Sequence, residues 1–476
     1  MKTKFAAVLS VSLLTACTVG PDYTRPADPV STHYDREAEG LSGGQHIALG
    51  ARIGGEWWSA FRSPKLTLAM NQAIDGNFDL KIADARIQQA SEAVRAAGGA
   101  LSPQVDFGAQ LGRARTNVPP PATSSFYGVG PVVSFDLDIF GGTKRLIERQ
   151  GALADAEKHR FDAAYLTLTG EVASQALLLA SARAQIEAVQ TLLADDQRNL
   201  DLLRLAHSHG DVAQPEIALA ETQLAQDQTL LPPLMQQRDA ARHALSVLAG
   251  QGPADGTVPD FDLADFTLPP DLPVSLPSDL AHDRPDILEA EAELHAASAA
   301  VGMATADLYP HLVLSGSVTQ AGMDPASLFQ SSTTLWSVAA GLTGPIFHGG
   351  TLEADRKGAM DGYKASLAVY QRTVITSLGQ VADVLQAINH DADEFSAQER
   401  ALGAAGVSLR LNRAGFQTGE TGVLQVLDAE RAYERALLGQ IRVKTARYLD
   451  TVQLFIALGG NSSGSFERTT LADKGE

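Results

Sequence analysis

Cys17 is the only cysteine in the 476 residues, and it follows Leu14-Thr15-Ala16. Lys2 and Lys4 give the N-terminus a charged start, and Phe5 to Leu14 is an apolar stretch. A charged start, an apolar run and a small-residue cleavage site make a secretory signal. Small residues placed directly before a cysteine resemble a bacterial lipobox. The chemistry expected there is cleavage before Cys17, diacylglyceration of its thiol and acylation of its new amine. A lone cysteine in an exported chain needs such a reason, and two or three acyl chains anchor stably where one would not. Thr18 follows, where an Asp would have suggested inner-membrane retention. The covalent lipid on Cys17 is the only added group expected, with no cofactor.

Other reactive patterns do not assemble. His207 and His209 flank a turn, yet no Cys, Asp or Glu cluster completes a metal site with them. They read as a solvated turn that contacts another protein. No nucleophile–base pattern, phosphate-binding loop, GxGxxG or zinc spacing is present, so no enzyme is expected. The formal charge of −19 argues against nucleic acid. Removing residues 1–16 takes away two lysines and leaves about −21. No run of about 18 apolar residues supplies a transmembrane helix.

The elements that must position these residues come in two copies, offset by roughly 207–210 residues, the mark of a tandem duplication. The signal peptide is 1–16, and residues 17–56 read as an acylated, extended arm. The first repeat, 57–250, holds a helical stretch, a β-hairpin over 103–142 and a long helical hairpin with its tip near 207–214. A Pro-rich linker, 251–283, leads to the second repeat, 284–460. That repeat has its hairpin at 310–350 and its tip near 416–424, and residues 461–476 form a tail. Trp57 to Gly98 reads as helix, with Trp57 and Trp58 as packing residues. Each helical hairpin starts with a Pro-free run; an unbroken helix over 144–209 would be about 100 Å long. Pro232-Pro233 must break or kink the first return helix.

The strands alternate. Val105, Phe107, Ala109 and Leu111 fall on one side of the first strand, with Asp106, Gly108, Gln110 and Gly112 on the other. In the second, Tyr127, Val129, Val133, Phe135 and Leu137 oppose Gly128, Gly130, Ser134, Asp136 and Asp138. The second copy repeats the pattern through Leu312, Leu314 and Val318, then Trp336, Val338, Ala340 and Leu342. Apolar outside and small or polar inside is the pattern of a membrane barrel strand. Four strands cannot close a barrel, and an open edge cannot sit in lipid. Cyclic association is therefore required: a dimer would give eight strands, a trimer twelve. Small inward residues such as Gly108, Gly128, Gly130, Ser315 and Gly341 favour a wider lumen and hence a trimer. The expected fold is a mixed α/β membrane protein. Its trimer would form a 12-stranded barrel, continued by a long α-helical barrel.

At this point the motifs resemble the TolC-like outer-membrane factor family, in its lipoprotein branch of NodT-type efflux channels. The likeness is carried by Cys17-Thr18-Val19-Gly20-Pro21-Asp22-Tyr23 and by Trp57-Trp58-Ser59-Ala60-Phe61 with Pro64 and Leu66. It continues through Leu276-Pro277-Ser278-Asp279-Leu280, Arg284-Pro285-Asp286-Ile287, Tyr309-Pro310 and Phe416-Gln417-Thr418-Gly419. It covers essentially the whole chain. The resemblance implies a homotrimer in the outer membrane, in contact with its lipid and with a large periplasmic part. A periplasmic adaptor of the membrane-fusion class and an inner-membrane RND-type transporter are its implied partners.

It also implies a gate. In the family the Asp of the Leu-Asp-Ala stretch narrows the periplasmic entrance, and here that residue is Asp428. Three copies would repel one another and draw a bound cation. Gln425 stands where many members carry a second Asp, which removes one of two acidic rings. Leu424 and Leu427 are candidates for an apolar constriction, or ordinary packing residues. Arg431 is a candidate for an ion pair holding the closed state. The tips that would meet the adaptor are His207, His209 and Gly210, with Thr418, Gly419 and Glu420. The expected function is passive export of drugs or other small toxic molecules. Alternatives are a type I secretion or metal-efflux channel, or a lipid-anchored helical scaffold without a pore.

Overall fold

The structure is a computed structural model. It describes residues 18–27, 29, 31, 33–34, 44–51, 54–117, 119–328 and 330–460. The signal peptide, Cys17 and the 461–476 tail expected from the sequence lie outside the described residues. Two compact units emerge. One comprises the described residues up to Ala27, with Asp84–His159 and Glu289–Arg372. The other comprises the described part of 28–83, with Arg160–Leu288 and Thr373 onward.

The elements run in the order β1 (His46–Leu49), α1 (Pro64–Gly76), α2 (Phe78–Gly99), β2 (Gln104–Thr116), β3 (Ala122–Asp136), α3 (Gly142–His209), α4 (Gln214–Gln228) and α5 (Leu231–Leu248). The chain continues as β4 (Asp271–Val274), α6 (Pro277–Asp283), α7 (Pro285–Ala306), β5 (His311–Gly322), β6 (Thr334–Thr343), α8 (Thr351–Thr418) and α9 (Val423–Ala457).

The first unit contains a four-stranded antiparallel sheet in the order β2-β3-β5-β6. Its register sorts the side chains. Val105 pairs with Val133, Phe107 with Pro131 and Leu111 with Tyr127. Phe135 pairs with Leu314, and Leu314 and Val318 pair with Ala340 and Trp336. Directly opposed residues share a face, so the apolar positions of all four strands form one continuous surface. Trp336 is 76% exposed on it, and Phe107, Leu111, Val338 and Leu342 are exposed as well. The other face carries Asp106, Gly108, Gln110, Ser134, Ser315 and Ser337, with a hydrogen bond between the Ser317 and Ser337 hydroxyls at 2.8 Å. That face is less uniformly polar than the sequence pattern suggests, because Phe126 lies on it. A Cβ added to Gly112 would meet the Phe126 ring at 2.0 Å, so the ring occupies the space the glycine leaves. Among the described residues, the two outer strands, β2 and β6, each have one edge without a partner strand.

The second unit holds a core of Trp57, Trp58, Phe61, Met70, Phe261, Phe266, Tyr448 and Phe455. Trp57 stacks on Phe455 with ring centroids 5.4 Å apart, and its indole N–H donates to Thr169 Oγ1 at 3.3 Å. Arg284, itself buried, forks onto Asp286 at 2.9 and 2.6 Å. It also donates to the Ala457 carbonyl at 2.7 Å and so ties the start of α7 to the end of α9. Asp286 begins α7 beside Pro285, where an acid complements the helix dipole.

Three differences from the sequence reading have local causes. Trp57 to Gly98 is not one helix. Trp57–Phe61 is a short 3₁₀ turn, Ser63 caps α1, and Asn77 caps α2 by accepting from the Asp79 and Leu80 amides at 2.8 and 3.1 Å. The arm and the Pro-rich linker are not merely extended, since β1 from one pairs in parallel with β4 from the other, His46 opposite Asp271. The first return helix stops at Gln228 and restarts at Leu231, because Pro232 and Pro233 fit only the first turn of a new helix. Its counterpart α9 is unbroken over 35 residues.

Truncating Phe455 removes the ring shared by Trp57 and Phe61. Phe455→Ala is expected to cost about 3–5 kcal/mol in denaturant unfolding. An unchanged unfolding midpoint would contradict this assignment of the core.

Candidate gate at the helical tips

Both helical hairpins turn on the same backbone device. Gly210 and Gly419 have φ of +86° and +78°, a conformation glycine adopts without a Cβ penalty. Gly210 N–H donates to the His207 carbonyl at 2.9 Å and Asp211 N–H to the Ala206 carbonyl at 3.0 Å. Gly419 and Glu420 repeat this with Phe416 and Gly415 at 3.2 and 2.7 Å. These paired bonds are a Schellman stop, which satisfies the last carbonyls of a helix. His207 and His209 each turn Nδ1 to a carbonyl of their own tip, Val212 at 2.7 Å and Leu205 at 2.9 Å. Thr418 donates to the Gly415 carbonyl at 3.1 Å. All of His207, His209, Gly210, Thr418, Gly419 and Glu420 are exposed.

Just above the tips, Leu200, Leu203, Ile217, Ala220, Val423 and Leu427 form a small apolar cluster. This decides between the two readings of Leu427. Leu427 is 3% exposed within a single chain, so it is packing and does not line a constriction. Leu424, Gln425 and Asp428 are exposed on the opposite face of α9. Leu424 and Asp428 are four residues apart and therefore neighbours on one side of the helix.

A chain of polar contacts leads from Asp428 into the interior. The Asp428 side chain is 80% exposed, with Arg431 Nη1 3.6 Å from its Oδ1. Arg431 Nε donates to Gln223 Oε1 on α4. Gln223 Nε2 donates to Asp227 Oδ2 at 2.6 Å. Beyond lies Asp196 on α3, whose two carboxylate oxygens are buried and meet no donor. Asp196 faces Asp227, whose carboxylate opposes a charge on Asp196. Burial pushes the Asp196 carboxyl up to about 8, reinforced by Asp227 and then by Glu430 and Glu434. Burial likewise raises Glu434 to about 7, with Asp227 adding to it and Arg435 and Arg431 opposing.

A second branch ties in α8. Arg413 donates to Glu430 Oε1 at 2.9 Å and to Asp195 Oδ2 at 2.8 Å, and Asn199 donates to Glu430 Oε1 at 2.8 Å. Glu430 is buried, where a charge is tolerated only when paired and hydrogen-bonded. The network thus crosses all four tip helices. The sequence reading found Asp428 and Arg431 and missed Asp195, Asp196, Asn199, Gln223, Asp227, Arg413 and Glu430. A signal existed: Asp196, Leu200 and Leu203 share one buried stripe, as do Ile217, Ala220, Gln223 and Asp227. Polar residues on apolar-stripe positions mark a buried network.

The chain thus carries a duplicated hairpin with one apolar face and two helical hairpins cross-linked near their tips. The chain belongs to the outer membrane efflux protein family, which it matches over residues 69–251 and 276–460, one match for each repeat. It is 29% identical over 468 residues to the cation efflux system protein CusC of Escherichia coli K12, covering 94% of this chain and 97% of that one. It is 28% identical over 474 residues to the solvent efflux pump outer membrane protein SrpC of Pseudomonas putida, covering 98% and 100%. Its fold superposes on the outer-membrane channel OprN with a TM-score of 0.86 at 27% identity, covering 93% of this chain and 99% of that one. The protein is an efflux component of the outer membrane.

Raised carboxyl values carry a definite sign. Protonated Asp196 and Glu434 contribute their full stability below the ordinary carboxylate range, about 4. That contribution is lost as pH rises through about 7 for Glu434 and about 8 for Asp196. The tips are expected to unfold more readily at about pH 9 than at about pH 5. Asp196→Asn, whose amide can donate to Asp227, should flatten the dependence. Unfolding midpoints that run parallel in wild type and variant across that range would remove the proton assigned to Asp196.

Proposed function

We propose that three copies of the chain close a 12-stranded barrel in the outer membrane, continued on the periplasmic side by their long helices. The resulting conduit passes drugs or other small toxic molecules outward, passively, from an inner-membrane RND-type transporter and a periplasmic adaptor. The observation that carries this reading is the sheet. It has one continuous apolar face and two open edges, β2 and β6. In lipid every backbone polar group must be paired, so those edges require neighbours. A cyclic assembly gives each β6 the β2 of the next copy and leaves no edge.

In this reading Asp428 is the gate. It is exposed in the single chain, on the second copy's tip, and three such carboxylates around one axis would repel and hold a cation. Arg431, bonded to Gln223, is the latch that holds α9 to α4. Leu424, beside Asp428, supplies the apolar part of the constriction, with Gln425 next to it. The exposed tips at His207–Gly210 and Thr418–Glu420 are the adaptor contacts. Cys17 carries the lipid. Cation export is a second reading, supported by the likeness to CusC; it changes the cargo and not the architecture.

Three outcomes test these assignments. Single-channel recording of purified Asp428→Ala should show higher conductance and weaker block by polyvalent cations; an unaltered trace would reject the gate. Trp336→Lys should impair insertion, because a lysine on the lipid face costs about 2–4 kcal/mol at mid-membrane, while Ser337→Lys, one residue along, should insert. Equal insertion of the two would reverse or abolish the proposed faces. Cys17→Ala should lose its acyl mass yet remain in the membrane through the sheet. A variant soluble without detergent would exclude a membrane-spanning sheet.

A further inference from the structure

The four strands of the antiparallel sheet hold two arginines and no lysine, although the chain has 37 basic residues. Both are on β2, as Arg113 and Arg115. Residues two apart on a strand lie on one face, and here that face is the apolar one. The run Val105, Phe107, Ala109 and Leu111 leads straight into them. The register continues without a slip: Leu111 pairs with Tyr127, Arg113 with Ser125 and Arg115 with Thr123. Directly opposed residues share a face. The apolar surface of the first hairpin therefore ends in a tyrosine, then two guanidinium groups beside two hydroxyls. Both arginines are exposed. Among the described residues neither has a hydrogen-bond or ion-pair partner.

The second hairpin ends differently. On its apolar face Gln320 follows Val318 and is paired with Thr334. Gln320 donates to Thr334 Oγ1 at 2.8 Å and accepts from Thr333 at 3.3 Å. Its polar end is satisfied within the chain and carries no cation, so the two arginines are not a general feature of the repeat.

A guanidinium on the lipid side of a strand is costly at mid-membrane and nearly free at the interface. Tyr127, level with the last apolar residue, is of the type that sits at that interface. Beyond it an arginine can lay its apolar stem along the sheet and hold its head among the lipid headgroups. The planar fork then matches phosphate oxygens two at a time. The Cα atoms of Arg113 and Arg115 are about 7 Å apart along the strand, close enough for both forks to serve one headgroup.

We propose that Arg113 and Arg115, with the hydroxyls of Thr123 and Ser125, bind the phosphate of an anionic lipid in the outer leaflet. The β2–β3 turn is at the opposite end of the strands from the entry to α3, so the leaflet follows from the reading that the long helices are periplasmic, on which the site rests. Each chain offers one such site, on its first hairpin only. Lipid phosphates would then be held at every second hairpin around the barrel.

The test uses the full mature protein in detergent. It is titrated with lipid A bearing two phosphates and with the same lipid stripped of them, and bound lipid is counted by native mass spectrometry. Wild type should take up one phosphorylated lipid per chain and bind the stripped one roughly tenfold more weakly or worse. Arg113→Gln with Arg115→Gln should lose the preference. Arg113→Lys with Arg115→Lys should keep part of it, since an ammonium cannot reproduce the fork. Equal affinity of wild type for the two lipids, or an undiminished preference in the glutamine variant, would overturn the site. Displacement of the lipid by inorganic phosphate at matching concentration would show an adventitious ion only, and would overturn it too. Insertion into vesicles is scored on the same samples. Insertion without a phosphate preference rejects the site and leaves the barrel standing, whereas a wild type that does not insert rejects the barrel and the site with it.

Discussion

The unpaired edges of β2 and β6 are the constraint on which the rest of the molecule depends. A backbone amide or carbonyl facing hydrocarbon costs several kcal/mol, and each of those edges presents a row of them. The strands answer with one continuous apolar face, and in the proposed assembly the edges pair with those of further copies. Everything beyond the sheet inherits that requirement. The β3–α3 turn and the turn before α8 launch the long helices from the end of the sheet. The helices carry Ala-rich stripes that allow close neighbours.

Duplication supplies symmetry, and divergence supplies function. The two tips share their glycines and their Schellman bonds, so the turn geometry is a property of the repeat. The side chains are not shared: Asp428 corresponds to Leu219, Arg431 to Thr222 and Gln425 to Glu216. The polar network exploits that inequality. Arg431 reaches from the second copy to Gln223 of the first, and Glu430 collects donors from α3 and α8. A network of this kind forms only between unlike surfaces.

Strand alternation, the long helices and the tip positions were legible because they rest on local periodicity. The single apolar face is the surest of these, since a one-residue slip in any strand would have broken it. The β1–β4 pair was not legible: each strand is four residues long and its partner is more than 200 positions away, so neither carries a pattern of its own. The interruption at Asn77 was hidden in an otherwise helical composition and depends on one side chain turning to cap the next helix. At the site, Asp428 was singled out through its motif, and Leu427 was left open between constriction and packing because a leucine looks the same facing a lumen or a neighbour. The Asp196–Asp227 pair is visible only once α3 and α4 are set side by side.

The break at Thr229-Leu230 has a mechanical consequence. Gln223 and Asp227 sit in the last two turns of α4, immediately before the chain restarts as α5. A load applied through Arg431 therefore acts on a 15-residue rod with a soft joint at its far end. The 35-residue α9 that carries Asp428 is unbroken along its whole length. The compliance of the pair is concentrated in the first copy, although the arginine that loads it is in the second.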